Sequence, residues 1–221
     1  DRRTSLMILS ALPGLGPVNI RKLDGKVPGG VERLLDMTAQ ERHCWCSKRV
    51  VEELEHWQNY FNPEKVFSAL GKMGADFITF EDDAYPERLR HFGDRPIGLY
   101  RCRSDCPVPG RTLAIVGTRK PSAYGRRVTR EFATGLSRKG FCIVSGMAEG
   151  VDTEAHRSVL EVGGSTLAVL GGGLKRCYPA SNRVLMEEIM ESGGVWSEFP
   201  LWRSADRRSF PQRNRIVAGL S

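Results

Sequence analysis

The sequence predicts an α/β protein in which a small all-helical domain precedes a doubly wound, mainly parallel sheet. From residue 75 onward, short apolar runs rich in β-branched and aromatic residues are separated by segments of helical periodicity. The stretch before residue 62 carries helical patterns. Strands that alternate with helices indicate parallel pairing with helices on both faces of the sheet. We therefore assign residues 1–62 to a helical domain and residues 63–221 to an α/β domain.

The helical domain is predicted from a series of periodic segments. "TSLMILSAL" and "PVNIRKL" flank the turn "PGLG", and the second segment opens with Pro17, which is tolerated in the first turn of a helix. "TAQE" has the form of a capping box. "SKRVVEELEHWQNYF" places Val50, Leu54 and Trp57 on one helix face. Asn62 is positioned to cap the helix "PEKVFSALGKMG".

Six apolar runs are the predicted strands of the α/β domain. They are "DFITF", "GLYR", "TLAIVG", "FCIVSG", "TLAVLGGG" and "VWSEF". The helices predicted between and after the last four runs cover residues 122–138, 152–162 and 181–192, and a further helix begins near Pro211. In such sheets, ligands bind beyond the carboxyl ends of the parallel strands. The turns that follow these strands are therefore the candidate sites.

The first of these turns, "AIVGTRKPSAYG", has the properties of an anion site. Gly117 and Thr118 end the strand, and Ser122 is placed to cap the next helix. Arg119 and Lys120 add positive charge at the positive end of that helix, so a phosphate fits there. The dinucleotide fingerprint G-x-G-x-x-G is absent. The alternative is a tight turn with two solvated cations.

The second turn, "VSGMAEGVDTEAH", combines a predicted anion cradle with an acid. Ser145, Gly146 and Gly150 line the turn, which is expected to offer backbone N–H groups to an anion. Glu149 would repel a phosphate at close range. It is therefore expected either to pair with an arginine, Arg119 being a candidate, or to leave the turn contributing shape alone.

The helix after this turn raises two further expectations. Asp152 is predicted to be its N-cap. His156 has no serine, cysteine or acid at an obvious partner spacing. A buried histidine with one hydrogen bond is therefore favoured over a catalytic one.

The last two turns add glycines, cations and aromatic rings. In "VLGGGLKRCYPASN", three glycines including Gly172 allow a ligand or another backbone to approach closely, and Lys175, Arg176 and Tyr178 surround them. "SEFPLWRSADRRSFPQRNRIVAGLS" interleaves aromatic rings with arginines. These residues are Trp202, Arg203, Arg207, Arg208, Phe210, Arg213 and Arg215. Arginines with aromatic rings suit single-stranded nucleic acid, and a solvated loop before a helix is the alternative.

Composition narrows the class of protein. A net charge of +7 permits a polyanionic partner without requiring one. No apolar run is long enough to span a bilayer and the N-terminus is too short in apolar residues for a signal peptide, so a cytoplasmic protein without membrane contact is expected. Reduced cysteines are expected, because the six are scattered among apolar segments of a chain large enough not to need disulfides. The spacings within the set Cys44, Cys46, Cys102 and Cys106 are unusual for structural zinc. The chain starts without Met and stops within an apolar pattern, which suggests a fragment.

Taken in order, "VGTRKPSAYG", "SGMAEGVDTEAH", "GGGLKRCYPASN" and "FPQRNRIVAGLS" resemble the DNA-processing protein A family (DprA, also called Smf). "LPGLGPVNIRKL" and "DAYPERLRHFGDRPIGLYRC" are similar to that family too, so the resemblance covers nearly the whole chain. It implies an extended Rossmann-like fold, preceded in many members by a sterile-alpha-motif-like (SAM-like) domain. It also implies a protein of natural transformation that binds and protects incoming single-stranded DNA and helps load the RecA recombinase. No catalytic residue, metal or cofactor is implied.

The resemblance also implies roles for particular residues. The arginine of the family's "VG[ST]R" motif, a DNA-phosphate contact, falls on Arg119, and the arginines of "RNRI" fall on Arg213 and Arg215, one of which could instead orient the loops. The candidate DNA- or phosphate-binding residues are Gly117, Thr118, Arg119, Lys120, Ser122, Ser145, Gly146, Gly150, Gly172, Lys175, Arg213, Asn214 and Arg215.

Three departures from the family pattern bear on these roles. Glu149 stands where the family most often has Arg or Lys, and Ala180 where some members carry a basic residue. The family's Rossmann-like domain continues beyond "AGLS", and in characterised members that later part carries the dimerisation and recombinase surface. A homodimer and a RecA contact are therefore left open.

Two other functions compete with this interpretation. The related phosphoribohydrolases, which cleave the base from nucleoside monophosphates, carry a "PGGxGTxxE" motif. The "PGG" at residues 28–30 lies in the helical region and lacks the rest of that motif. The N-terminal "LPGLGPVNIRKL" also resembles a helix–hairpin–helix that binds duplex phosphate. Arg21 and Lys22 support that function, Glu32 and Asp36 do not, and a purely packing role is favoured.

Overall fold

The computed structural model describes residues 1–102 and 110–221, and its centre is one six-stranded sheet. The strands are β1 Ala75–Thr79, β2 Gly98–Cys102, β3 Thr112–Ala114, β4 Cys142–Ser145, β5 Thr166–Val169 and β6 Gly194–Ser197. Their order across the sheet is β1-β2-β6-β5-β4-β3. Strands β3 to β6 are parallel, as predicted, whereas β2 is antiparallel to both of its neighbours. The fold is therefore mixed α/β with a mostly parallel sheet.

Ten α-helices lie within the described ranges. They are α1 Arg2–Ala11, α2 Pro17–Asp24, α3 Ala39–Arg42, α4 Lys48–His56, α5 Pro63–Lys72, α6 Glu87–Arg90, α7 Ala123–Arg138, α8 Val151–Glu161, α9 Arg183–Ser192 and α10 Ser209–Gly219. Three predicted caps are confirmed, because the side chains of Thr38, Asn62 and Ser122 accept backbone N–H groups at the starts of α3, α5 and α7. No helix in the described parts is long and apolar enough to cross a membrane.

Helices cover both faces of the sheet. Within β4, Cys142 and Val144 belong to one apolar cluster, whereas the side chain between them, Ile143, belongs to another, as the alternation of strand side chains requires. Helices α7, α8 and α9 pack in sequence on one face. Because β3, β4, β5 and β6 succeed each other in one direction, right-handed crossovers place these helices on the same side. Helices α6 and α10 supply Leu89 and Ile216 to the opposite face.

The N-terminal helices pack on one another and on the sheet. Their own apolar cluster includes Leu6, Leu9 and Leu34. It also contains Ile97, the residue just before β2. Helix α1 additionally contributes Met7 to a second cluster shared with β1, β2 and α5. Side chains of α1 therefore enter two cores, and the domain boundary at residue 62 remains a proposal.

Polar contacts add to this attachment. The Arg2 guanidinium lies 2.9 Å from Asp24 and 2.8 Å from Glu81, which follows β1. The Arg21 guanidinium donates to the backbone carbonyls of Gly93 and Arg95. The N-terminal helices are thus held against the loops that precede β2.

Candidate nucleic-acid interface

The turns after β3 and β4 are packed into one unit. Gly150 has a φ of +87°, and a Cβ there would clash with the Thr118 carbonyl oxygen and lie 2.7 Å from the carbonyl carbon of Arg119. The backbone N–H of Val151 donates to the same Thr118 oxygen at 3.1 Å. A Cβ at Gly117 would lie 2.8 Å from the Val151 side chain. Glycine at these two positions thus lets the second turn support the backbone that carries Arg119.

The predicted N-cap role of Asp152 is wrong. Helix α8 begins at Val151 with Gly150 as its N-cap and no side-chain cap. The buried Asp152 carboxylate instead accepts the backbone N–H groups of Gly146 at 3.1 Å and Ala148 at 3.4 Å. Two of the backbone N–H groups expected to receive an external anion are thus bonded to the chain's own Asp152.

Arg213 lies behind this turn, buried between two strand ends. Its guanidinium donates to the carbonyls of Gly146 and Val169, which follow β4 and end β5, and a Cβ at Gly146 would collide with it. Burial raises the pKa of the Asp152 carboxyl, and the positive charge of Arg213 opposes that effect. Arg213 therefore joins the turn after β4 to the end of β5.

His156 occupies the same buried region. Its Nδ1 lies 2.7 Å from the hydroxyl oxygen of Thr166, and that hydroxyl donates to the Ile143 carbonyl. Nδ1 therefore carries the proton, since the hydroxyl can only accept from it. Burial, together with Arg213, lowers the pKa of His156 to about 3. The predicted buried histidine with one hydrogen bond is confirmed.

A row of one exposed cation, one half-buried ring and one exposed ring lies near these buried groups. The Arg119 guanidinium lies 5.1 Å from the ring centroid of Phe210 at the start of α10. The Phe210 ring in turn lies 5.5 Å from that of Tyr178, which is 51% exposed. Arg119 makes no ion pair within the described residues, so its charge is not neutralised by a carboxylate there. We call these three side chains the Arg119–Phe210–Tyr178 row.

The remaining cationic and polar candidates differ in exposure and in bonding partners. Lys120 and Lys175 are exposed. Ser122 uses its hydroxyl to cap α7, and Asn214 accepts from the Arg213 Nε at 3.1 Å. Arg215 is not brought to the row, because its guanidinium pairs with Glu198 and lies 3.6 Å from Asp94.

The turn after β5 packs against protein. A Cβ at Gly172 would lie 2.9 Å from the backbone of Arg203 and Ala205, and one at Gly171 would meet the Phe210 ring. Of the two occupants expected near these glycines, a ligand or another backbone, the structure shows the backbone that follows β6. Gly172 thus helps to place the loop that leads into α10.

The environments of Glu149 and Ser145 complete the turn after β4. Glu149 is exposed and makes no hydrogen bond or ion pair with any described residue, so the expected pair with Arg119 is not observed. Ser145 is buried and donates its hydroxyl to the Ile115 carbonyl at 2.6 Å. Ser145 thus ties the turn after β4 to the residue that follows β3, and Glu149 stays unpaired among the described residues.

The cysteines considered for zinc do not form a site in the described chain. Cys44 is exposed among the N-terminal helices, Cys102 is buried in β2, and Cys106 lies outside the described residues. Among described residues, no group of three His, Cys, Asp or Glu side chains is arranged to hold a metal ion.

Sequence reasoning identified the turns but missed two features. Phe210 and Tyr178 are 32 residues apart, and nothing in the sequence indicates that their rings meet or that Arg119 lies over the Phe210 ring. The role of Asp152 had a weak signal, since an acid two residues after Gly150 can turn back into a glycine turn as readily as it can cap a helix.

Comparison with known proteins identifies relatives of this chain. Residues 76–221 match the family described as DNA recombination-mediator protein A. Protein Smf of Synechocystis sp. is 40% identical over 179 residues, which cover 78% of this chain and 44% of that protein. The chain spans about half the length of the curated relatives it matches.

Two solved structures share the fold. The X-ray structure of DNA processing protein A from Streptococcus pneumoniae superposes with a TM-score of 0.76 at 28% identity, covering 97% of this chain and 73% of that one. A structure describing the single-stranded DNA binding mode of DNA processing protein A from Helicobacter pylori gives a TM-score of 0.59 at 32% identity, with 66% of each chain covered.

Proposed function

Because this chain belongs to the DNA recombination-mediator protein A family, we propose that it is a single-stranded DNA-binding protein of DNA uptake and recombination. The observation that carries this proposal is the Arg119–Phe210–Tyr178 row, in which a cation without a carboxylate partner among the described residues lies beside two aromatic rings. Cations that follow a backbone and rings that stack on bases are the elements of single-strand recognition. The related Helicobacter pylori protein, described by its single-stranded DNA binding mode, supports the same partner.

The proposed contacts fall into two groups. Arg119, Lys120 and Lys175 are exposed and would contact phosphates directly, and the exposed backbone of Gly117 and Thr118 lies beside them. The buried candidates would act through the loops. These are Ser145, Gly146, Gly172 and Arg213, joined by Gly150 through its contact with Thr118 and Arg119. Ser122 and Asn214 would support neighbouring backbone and side chains, and Arg215 would hold α10.

We propose binding without catalysis and without a metal or cofactor. The buried titratable groups near the row, Asp152 and His156, are bonded to backbone N–H groups and to a threonine hydroxyl. They therefore hold the fold together instead of facing a substrate. In the cell we place the protein in the cytoplasm, acting with a RecA-type recombinase on single-stranded DNA, and we leave a homodimer open.

Fluorescence anisotropy with a labelled dT oligomer tests this function. We expect Arg119→Ala to weaken binding by about tenfold and to reduce the slope of log K against log salt by about 0.7, the value for one lost phosphate contact on a single strand. Affinity that is insensitive to salt, or equal in the wild type and the variant, would reject the phosphate contact.

A matched variant controls for the change in net charge. Arg138 is exposed in the last turn of α7, at the end of that helix farthest from Arg119. Arg138→Ala removes the same side chain and charge, and we expect it to leave affinity within about twofold of the wild type. An equal loss in both variants would mean that net charge, and not the row, governs binding.

A further inference from the structure

A cavity lies between the N-terminal helices and the sheet. It has a volume of about 540 Å³ and is enclosed by the turn between α1 and α2, the start of β2, and the loop that joins β6 to α10. None of the three residues of the Arg119–Phe210–Tyr178 row lines it. The cavity is therefore a separate place on the molecule, within the size range of about 300–1,000 Å³ that is typical of small-molecule sites.

One of the residues that line the cavity is Arg203, whose guanidinium has two side-chain partners. The Arg203 guanidinium lies 4.3 Å from the ring centroid of the buried Phe199, and its Nη2 lies 3.3 Å from the Asp206 carboxylate. The guanidinium is thus held between an aromatic ring and a carboxylate. A planar guanidinium is a surface on which nucleobases stack. Leu12, Leu15, Ile20 and Ile97 supply apolar walls.

The charges around the cavity favour an anionic group. Arg208 lines it, and so does the start of α2 at Gly16 and Pro17, which has no side-chain cap and carries the positive end of the helix dipole. The two carboxylates in the lining are already engaged. Asp206 accepts the N–H groups of Arg208 and Ser209, and Oε1 of Glu198 pairs with Arg215, which does not line the cavity, while Oε2 of Glu198 has no partner among the described residues.

We propose that this cavity binds a single nucleotide, with the base on the Arg203 plane and the phosphate near Arg208 and the start of α2. The proposal goes beyond the proposed function, because it places one nucleotide in a site that the row does not line. A free deoxynucleoside monophosphate and one nucleotide of a DNA strand present the same chemistry to this site. A strand is a reasonable source, since Arg208 of the cavity and Phe210 of the row lie two residues apart at the start of α10.

Isothermal titration of the full chain with dAMP tests the cavity. We expect saturable binding to the wild type that is at least tenfold tighter than binding of inorganic phosphate or of deoxyadenosine alone. Arg203→Gln should weaken dAMP binding by about tenfold, and Arg203→Lys should weaken it similarly, because lysine keeps the charge and loses the plane.

Two variants separate this cavity from other cationic sites. Arg183→Gln, an exposed arginine of α9 that pairs with Glu187, should leave dAMP affinity unchanged. Arg119→Ala should also leave it unchanged. Loss of dAMP binding in Arg119→Ala with retention in Arg203→Gln would overturn the proposal, as would the absence of dAMP binding or equal affinity for inorganic phosphate.

A final titration identifies the source of the nucleotide. Loss of dAMP binding after saturation with dT20 supports the cavity and assigns its nucleotide to the strand, whereas retained binding supports it and assigns a free nucleotide. If dAMP binds and dT20 does not, the proposed function fails and the cavity stands. If dT20 binds and dAMP does not, the cavity fails and the proposed function stands.

Discussion

At the scale of single residues, two carboxylates in or beside the turn after β4 differ in burial and in hydrogen bonding. Asp152 is buried and accepts two backbone N–H groups, so its charge is absorbed by the turn. Glu149 is exposed and has no partner among the described residues. Since the cradle is already filled, a phosphate beside this turn would meet the Glu149 charge and few free N–H groups. The turn is therefore the least favourable part of the proposed interface for a polyanion.

This difference predicts that Glu149→Arg tightens single-stranded DNA binding. Removing a repulsive charge and adding an attractive one, each about 4 Å from a phosphate in water, changes the energy by about 2 kcal/mol in total, which corresponds to roughly 30-fold in affinity. Anisotropy with labelled dT oligomers at two salt concentrations measures the change.

Glu191→Arg provides the matched control. Glu191 is exposed near the C-terminus of α9, and its substitution alters net charge by the same amount. It should tighten binding far less than Glu149→Arg. If Glu149→Arg binds no better than the wild type, the turn lies off the path of the strand.

At the scale of elements, the interface depends on two turns that share a backbone contact. Gly150→Ala would place a methyl group against the carbonyls of Thr118 and Arg119, in a conformation with φ of +87° that alanine rarely adopts. We expect a loss of about 2–4 kcal/mol of unfolding free energy, from strain and clash together, and weaker DNA binding because the Arg119 backbone must move. Urea denaturation and anisotropy measure the two effects.

The other end of α8 offers a control for the strain alone. Gly163 has a φ of +69°, and a Cβ there would meet no atom within 4 Å. Gly163→Ala should therefore cost only about 1 kcal/mol and leave DNA affinity unchanged. DNA affinity that falls equally in both variants would show that stability, and not the packing of the two turns, sets binding.

The same scale shows what the sequence could predict. The six strands and the caps at Thr38, Asn62 and Ser122 follow from local rules, because a cap bonds a group three residues away. The bonds of Arg213 join residues 67 and 44 positions apart, so no local pattern signals them. The glycines of the turn after β5 were visible in the sequence, but which backbone they admit depends on the path of the chain after β6.

At the scale of the whole molecule, three buried polar side chains lie at the carboxyl ends of β4 and β5. They are Asp152, Arg213 and His156. Asp152 and Arg213 are ionisable and attract each other, and the neutral His156 lies beside them. Helix α10 links the Arg119–Phe210–Tyr178 row to these buried side chains, since Phe210 and Arg213 belong to the same turn of that helix. Stability of the fold and geometry of the interface are therefore coupled through α10.

The unfolding free energy depends on pH because the pKa of the buried His156 differs between the folded and the unfolded chain. Its pKa is about 3 in the folded protein, against 6.5 for an ordinary histidine, so the unfolded chain binds one more proton between these values. Stability is therefore full above about pH 6.5 and is lost as the pH falls toward 3. Between pH 7.5 and pH 5 the loss from this one group is about 2 kcal/mol. Urea denaturation at several pH values measures it.

His156→Asn isolates that contribution from those of the carboxylates. Asparagine can still donate to Thr166 but does not titrate, so the variant is expected to be less stable at pH 7.5 and to lose about 2 kcal/mol less than the wild type on acidification to pH 5. Asp152 is present in both proteins and its raised pKa acts in the opposite direction, so the difference between the two pH profiles reports His156. Parallel profiles would mean that His156 is protonated in the fold, against its buried and neutral state.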